Sequence, residues 1–454
     1  MQRGQTDHRE QQVHAPVNEP QGISGYQRWI VLAASFLGWM FAGLEISLFV
    51  LIARPAVRSL VPTASEADIG GWFAWYQCAF LLGAAAGGWI FGWLGDRIGR
   101  TRAMAASILC YSLVTGLSYP VTSPTALLVL RFIACLGVGG VWPSAVSLAV
   151  EGLPTISKPL LAGLMGAAAN VGFVLLGLIG YYFAITPDSW RWVLLVGASP
   201  AVLGVFALFW VAESPSWLAA QLQGNTADRA RPMREIMRPP LLRRTLIGIA
   251  LGAIPVIGTS ANANWLIPWA DQAAGRAAVE RESNPPGAIG SAAESRRDDP
   301  HAKAWTQVTR SGGAIVGSLL GGWIASQFGR RLTYFLISLV SFLISSYIFR
   351  FLSPLDRQFS LFTFLLGFVG VTYFGWLPLY LPELFPTRVR STGTGVTFNS
   401  GRVLAAASVL GAGALMQAFS GDYARVGTFT GLVYVLGMIV VCFAPDTTKD
   451  RLED

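Results

Sequence analysis

About twelve stretches of this 454-residue chain are apolar for long enough to cross a lipid bilayer: approximately 28–52, 69–94, 102–120, 125–150, 159–184, 190–211, 243–269, 304–326, 332–352, 359–382, 394–418 and 425–444. A helix needs about 20 mostly apolar residues to span the hydrocarbon. Inside it every backbone N–H and C=O must be paired within the protein, which leaves helices or a closed barrel. Runs of this length select helices. Only 13% of the residues are charged, against about 25% in soluble domains. An all-α membrane protein with twelve transmembrane helices is therefore expected.

The remaining polar groups fit that frame. Residues 1–27 are rich in Gln and Pro and read as a disordered tail, with no secretory signal ahead of the first run. Cys78, Cys110, Cys135 and Cys442 all fall inside apolar runs at spacings that suit no metal site, so they read as packing residues. His8, His14 and His301 lie outside the runs, which leaves no histidine at membrane depth. The net charge of +8 is sided rather than spread. Arg97, Arg100, Arg102, Lys158, the cluster from Arg229 to Arg244, Arg330, Arg331, Arg388 and Arg390 all fall in loops on one side. An even number of spans puts both termini on that same side. The excess of basic residues makes it cytoplasmic, and explains the charge without nucleic acid.

The chain echoes itself. "GWLGDRIGRT" (92–101) returns as "GWIASQFGRR" (322–331), and "EGLPTISK" (151–158) as "ELFPTRVR" (383–390), at offsets of 230 and 232 residues. "AESP" (212–215) has a looser echo in "PDTT" (445–448). Near-constant offsets indicate a duplicated six-helix unit. The expected division is a six-helix bundle over 28–212, a linker over 213–242, a second bundle over 243–444 and a tail over 445–454. An external loop is expected over 270–303, where both charges mix with Gly, Pro and Ser.

Twelve helices, this duplication and these loops resemble the major facilitator superfamily. The most specific carrier is G-x-L-x-D-R-x-G-R, present as Gly92, Leu94, Asp96, Arg97, Gly99 and Arg100. The resemblance implies a gating loop. Its glycines allow a tight turn between spans two and three, and Asp96 would bind an exposed helix N-terminus of the other half. The second copy has Ser326 at the Asp position. "AESPSWL" (212–218) and "PDTTKDRLE" (445–453) are similar to sugar-porter motifs, and "PELFPTRVRSTG" (382–393) to organic-ion and sugar carriers. "GWMFAGLE" (38–45) resembles the D-G-x-D/E signature of metabolite:proton symporters that carry aromatic acids or sialic acid. Glu45 matches its second acidic position, and Ala42 stands where that family has Asp. Span five lacks the Gly-Pro element of drug:proton antiporters. The family implies alternating access around a central site, activity as a monomer in the cell membrane, and no cofactor or metal.

Ionisable residues at bilayer depth are costly and mark function. By these spans they are Glu45, Arg131, Arg310 and Arg402. Glu45 lies about eight residues from the outer end of span one and Arg131 about six from that of span four, nearly equal depths at ~1.5 Å per residue. A Glu45–Arg131 pair is expected. Burial favours the neutral acid and the guanidinium the carboxylate, so a change in either would move a proton; a static salt bridge is the alternative. Arg402, in "FNSGRVLAA", lies near mid-membrane, where its fork of donors suits a carboxylate; an intramolecular partner is the alternative. Arg131 is a second candidate for substrate contact. Arg310 is explained by snorkelling to the headgroups. Gln77, Asn170, Tyr373, Trp376 and Asn399 are further candidates for substrate binding, with Tyr76, Trp142, Asn262 and Asn264 as additional cavity candidates. Glu151 with Lys158, and Glu383 with Arg390, read as latches across Pro154 and Pro386.

These residues favour a secondary transporter that takes up a small organic anion with a proton. A sugar or polyol carrier is the alternative carried by the sugar-porter motifs, and a sensor retaining the fold without transport is a third. No nucleotide loop, catalytic triad or metal cluster points to an enzyme.

Overall fold

The computed structural model describes residues 25–152, 158–215, 217–218, 232–283, 301–386 and 389–447. Among them no strand occurs. The first five spans are α1 (Gly25–Leu60), α2 (Glu66–Ile98), α3 (Arg100–Leu117), α4 (Pro124–Gly152) and α5 (Lys158–Tyr182). The sixth is broken into α6 (Trp192–Ala198) and α7 (Ala201–Trp210), at Ser199 and Pro200. A short helix, α8 (Pro232–Ile236), precedes the seventh span. That span is α9 (Leu241–Ile257), a π turn (Gly258–Asn262), a 3-10 turn (Ala263–Trp265) and α10 (Leu266–Ser283). Then follow α11 (Ala302–Phe328), α12 (Arg330–Phe351), α13 (Phe359–Glu383) and α14 (Arg390–Ala418), and a last span made of α15 (Tyr423–Thr430) and α16 (Leu432–Cys442). Ten of the spans among the described residues are long and apolar enough to cross a membrane by composition alone. The other two are α3, diluted by Arg100 and Arg102, and α11, diluted by Arg310 and its Gly and Ser residues.

Helices outrun the apolar runs at the end opposite the termini. α10 continues to Ser283 through residues expected to form a flexible loop. "ADQAAGRAAVERES" is polar, but Ala, Gln, Arg and Glu are good helix formers. The remainder of that loop, 284–300, lies outside the described residues. α2 opens on a capping box: the Ser65 hydroxyl accepts from the Asp68 N–H, and the Asp68 carboxylate accepts from the Ser65 N–H.

The duplication is visible in the packing. The halves meet through α2 against α14 and α5 against α11. By the sequence offsets α11 is the second copy of α2, and α14 of α5, so these two contacts are related by pseudo-symmetry. Gly99 (φ 108°) and Gly329 (φ 79°) make the same left-handed break in the two copies, a conformation that penalises any side chain.

Three apolar cores describe the overall shape. The largest takes Phe49, Phe73 and Tyr76 from the first half and Trp265, Met416 and Tyr423 from the second. The other two belong to one half each, with Tyr334, Trp376 and Phe385 in one and Met104, Ile108 and Val141 in the other. The halves therefore share a core at the end opposite the termini and part toward the termini end. Phe41 and Phe80 each pack against the shared core and the first half's own, and Phe374 and Phe398 do the same in the second half. Aromatic rings thus line the apex where the halves diverge.

Gly139 of α4 shows how tightly the helices are drawn together. A methyl group there would land on the Ala84 carbonyl of α2. Gly139→Ala is expected to cost about 1–3 kcal/mol, the usual range for overpacking, read as a lowered thermal midpoint in detergent.

Candidate functional site

Glu45 and Arg131 meet inside the first half. Arg131 Nη1 lies 2.8 Å from Glu45 Oε1, with both side chains fully buried. Arg131 also donates to the backbone carbonyls of Glu45 (3.1 Å) and Ile46 (3.3 Å). Its guanidinium stacks over Phe49 at 4.3 Å and lies 5.7 Å from the Phe80 ring. The Thr115 hydroxyl of α3 donates to the same Oε1 at 2.9 Å. The other carboxylate oxygen, Oε2, is buried without a hydrogen-bond partner, as is the nearby Tyr111 hydroxyl. A side chain at Gly197 of α6 would come within 2.9 Å of Oε2. The acid is thus walled by α3, α4 and α6 rather than open to the space between the halves. Its link to that space is Arg131, under Phe80 at the apex.

Arg402 lies at the apex in the second half. It is half-buried, 4.9 Å over the Phe398 ring, and donates from Nη1 to the Ala84 carbonyl of the first half at 3.2 Å. Asn399 Oδ1 is 3.5 Å from the same nitrogen, and Asn399 Nδ2 donates to the Gly395 carbonyl. No carboxylate among the described residues pairs with Arg402. Asn170, at the equivalent place in α5, bridges to Ser318 of α11 at 3.3 Å. Gln77 is buried with neither amide atom hydrogen-bonded.

Other cavity candidates are taken up by structure. The Tyr373 hydroxyl bonds Ser338 at 2.7 Å within the second half's own core. Trp376 packs between Tyr334 and Tyr380 and donates to the Arg330 carbonyl at 2.9 Å. Asn262 is satisfied by Gly427, Thr430 and Ser345. Each is fully buried, and its polar group ties helices of the second half together. Arg310 does not snorkel: it is 5% exposed and 5.7 Å from the Phe173 ring.

The loop residues also differ from expectation. Asp96 pairs with Arg100 at 2.6 Å within its own half, and its carboxylate is half exposed. No helix of the other half takes Asp96 among the described residues; the neighbouring acid, Glu213 of "AESPSWL", caps the N-terminus of α3 in the same half, accepting from the Thr101 N–H at 3.0 Å. Trp217 of the same motif donates to the Asp96 carbonyl. Arg97 lies over Trp93 at 4.0 Å, and Gly92 faces open space. Glu383 does not pair with Arg390. It takes Arg330 in two bonds (2.7 and 3.2 Å) and the Thr447 hydroxyl, while Arg390 donates to the Phe385 carbonyl. The side chains of Glu151 and Lys158, and the turn between them, lie outside the described residues.

Sequence reading missed an ionic cluster that closes the opposite end. Arg54 of α1 binds Glu66 of α2 (2.6 Å) and Asp271 of α10 (2.8 Å). Lys303 of α11 binds Asp271 (3.0 Å) and the Ile185 carbonyl (2.7 Å). Asp271 is thus shared by cations from both halves. Breaking one side of a buried pair costs about 3–5 kcal/mol. Asp271→Asn should shift the protein toward opening at this end. A cysteine at Met416, buried against Gly70, on a background lacking the native cysteines, should then react with an impermeant thiol reagent at least about tenfold faster. An unchanged rate would reject the cluster as a gate.

The matches to known proteins agree with this architecture. The model of the Major Facilitator Superfamily matches residues 29–273 and 284–454. The chain is 25% identical over 426 residues to a probable 4-methylmuconolactone transporter of Cupriavidus pinatubonensis, covering 93% of this chain and 91% of that protein. It is 27% identical over 397 residues to the cis,cis-muconate transport protein of Acinetobacter baylyi, covering 86% and 88%. The fold superposes on the E. coli xylose transporter in a partially occluded inward-open conformation, with TM-score 0.66 and 15% identity over 94% of this chain and all of that one. The chain belongs to the Major Facilitator Superfamily of membrane transporters.

Proposed function

We propose that the protein is a secondary active transporter that moves a small organic anion, a carboxylate metabolite, together with a proton by alternating access. The observation that carries this is Arg402, a guanidinium held where the halves part and lacking any acidic partner among the described residues. A neutral sugar would leave that charge uncompensated, and a carboxylate would complete it. Asn399, Gln77 and Asn170 contribute polar contacts around the anion, with Arg131 reaching the site through Phe80. Glu45 carries the proton, released or taken up as Arg131 changes partner. The bundles over 28–212 and 243–444 rock about this site, and the linker over 213–242 joins them. The basic loops put the termini in the cytoplasm, so the conformation described here faces inward. Outward opening would break the Asp271 cluster. Relatives named for muconate and methylmuconolactone transport support the substrate class.

The test is uptake into proteoliposomes of radiolabelled aromatic acids, short carboxylates, sialic acid and neutral sugars, each with and without an inward proton gradient. Accumulation of an acid only with the gradient is expected. Gradient-independent uptake of a sugar alone would overturn the proposal.

A further inference from the structure

Arg310 is not the only unsatisfied group on its face of α11. Gln307 is fully buried; its Nε2 donates to the Phe173 carbonyl of α5 at 2.9 Å, but its Oε1 has no partner. Arg310 is 5% exposed, and its Nε is buried without a partner. Ser311 is 1% exposed, and its hydroxyl likewise has none. Native proteins leave few buried polar atoms unpaired, and a cluster of them calls for a missing ligand. The available acids are committed elsewhere, Asp271 to Arg54 and Lys303, and Glu383 to Arg330. The Phe173 ring, from the other half, gives Arg310 only partial compensation.

The repeat gives the cluster its place. Gln307 follows Gln77 by 230 residues, and Arg310 follows Phe80 by the same number. Gln77 also has an unpartnered buried amide, and Phe80 lines the apex. Arg310 therefore holds the second half's counterpart of an apex position. The first half's buried arginines are both neutralised, Arg131 by Glu45 and Arg54 by Glu66 and Asp271; in the second half, buried Arg310 and half-buried Arg402 have no acid on either among the described residues.

We infer that Arg310, with Gln307 and Ser311, is a second anion site, so that the transported anion carries two carboxylates, one on Arg402 and one on Arg310. This rests on the organic-anion reading above. Arg310 lies eight residues into α11 and Arg402 sixteen from the end of α14 on the same side. At ~1.5 Å per residue the backbone positions differ by about 12 Å in depth, a separation that two long side chains and a short dicarboxylate together can span.

The experiment uses the full chain in detergent and reads binding by calorimetry. The probes are straight-chain α,ω-dicarboxylates from succinate to azelate, each beside its monomethyl ester. One chain length is expected to bind at least about 30-fold tighter than its own ester, the loss typical of leaving one charge of a buried pair unmet. Arg310→Gln should bring that diacid down to the level of the ester and leave the ester unchanged. Arg310→Lys, which keeps the charge without the fork, should fall between. The wild-type comparison of diacid with ester needs no variant to fold. Equal binding of both by wild type, with both lost in Arg402→Ala, would overturn the inference and leave the organic-anion reading standing. Binding of neutral solutes alone would overturn both.

Discussion

Glu45→Gln should abolish proton-driven accumulation while leaving exchange of substrate across the membrane intact. The amide resembles the protonated acid in shape and cannot release a proton. Its carbonyl can still accept from Thr115, and Arg131 keeps the Glu45 and Ile46 backbone carbonyls and the face of Phe49. The variant is therefore expected to fold and to keep the guanidinium in place. With one proton per substrate and the membrane potential clamped at zero, each unit of pH gradient is worth about 1.4 kcal/mol, or about tenfold accumulation. Wild type should approach that ratio, and the variant should stop at equal concentrations inside and out. Counterflow, which needs no net proton movement, should continue in both. Accumulation by the variant would show that the proton travels elsewhere and that the pair only fixes α1 against α4.

The comparison between sequence and structure separates what depth predicts from what direction decides. Helix rise is fixed, so counting residues from the span ends put Glu45 and Arg131 at one level, and they lie 2.8 Å apart. The twelve spans and the duplication were legible for a similar reason: bilayer thickness and a copied sequence leave a periodic trace. Which way a side chain points was not legible. α13 is apolar around its whole circumference, so no hydrophobic stripe told Tyr373 and Trp376 which side faces the cavity, and both turned into the second half's core. Arg54 and Lys303 were passed over because each stands just beyond an apolar run, where basic residues are commonplace. Only the packing of α1, α2, α10 and α11 reveals that both reach Asp271. Arg310, inside its run, was misread as snorkelling because depth does not say whether a long side chain turns outward or into the protein. Gln307 was within reach, because "WYQ" (75–77) and "WTQ" (305–307) lie at the offset already set by the loop echo.

Arg402→Ala should remove substrate recognition and make the empty protein no less stable. Among the described residues, the side chain makes one hydrogen bond to Ala84, a weak one to Asn399 and a ring contact with Phe398. Those contacts are few against the cost of keeping a guanidinium at membrane depth. Truncation therefore relieves an uncompensated charge, and the thermal midpoint of the ligand-free variant should equal or exceed that of wild type. Residues kept for binding commonly show this trade between stability and function. Binding should move the other way. Removing one partner of a buried charged pair costs about 2–5 kcal/mol, so affinity for the transported carboxylate should fall by at least about 30-fold. Arg402→Lys restores the charge without the planar fork and should recover part of it. The two readouts together distinguish the roles: a structural arginine would lose stability with its side chain, and a binding arginine would lose only its ligand. A variant that melts early and still transports would place Arg402 in the scaffold between α2 and α14 and return the search for the anion site to α11.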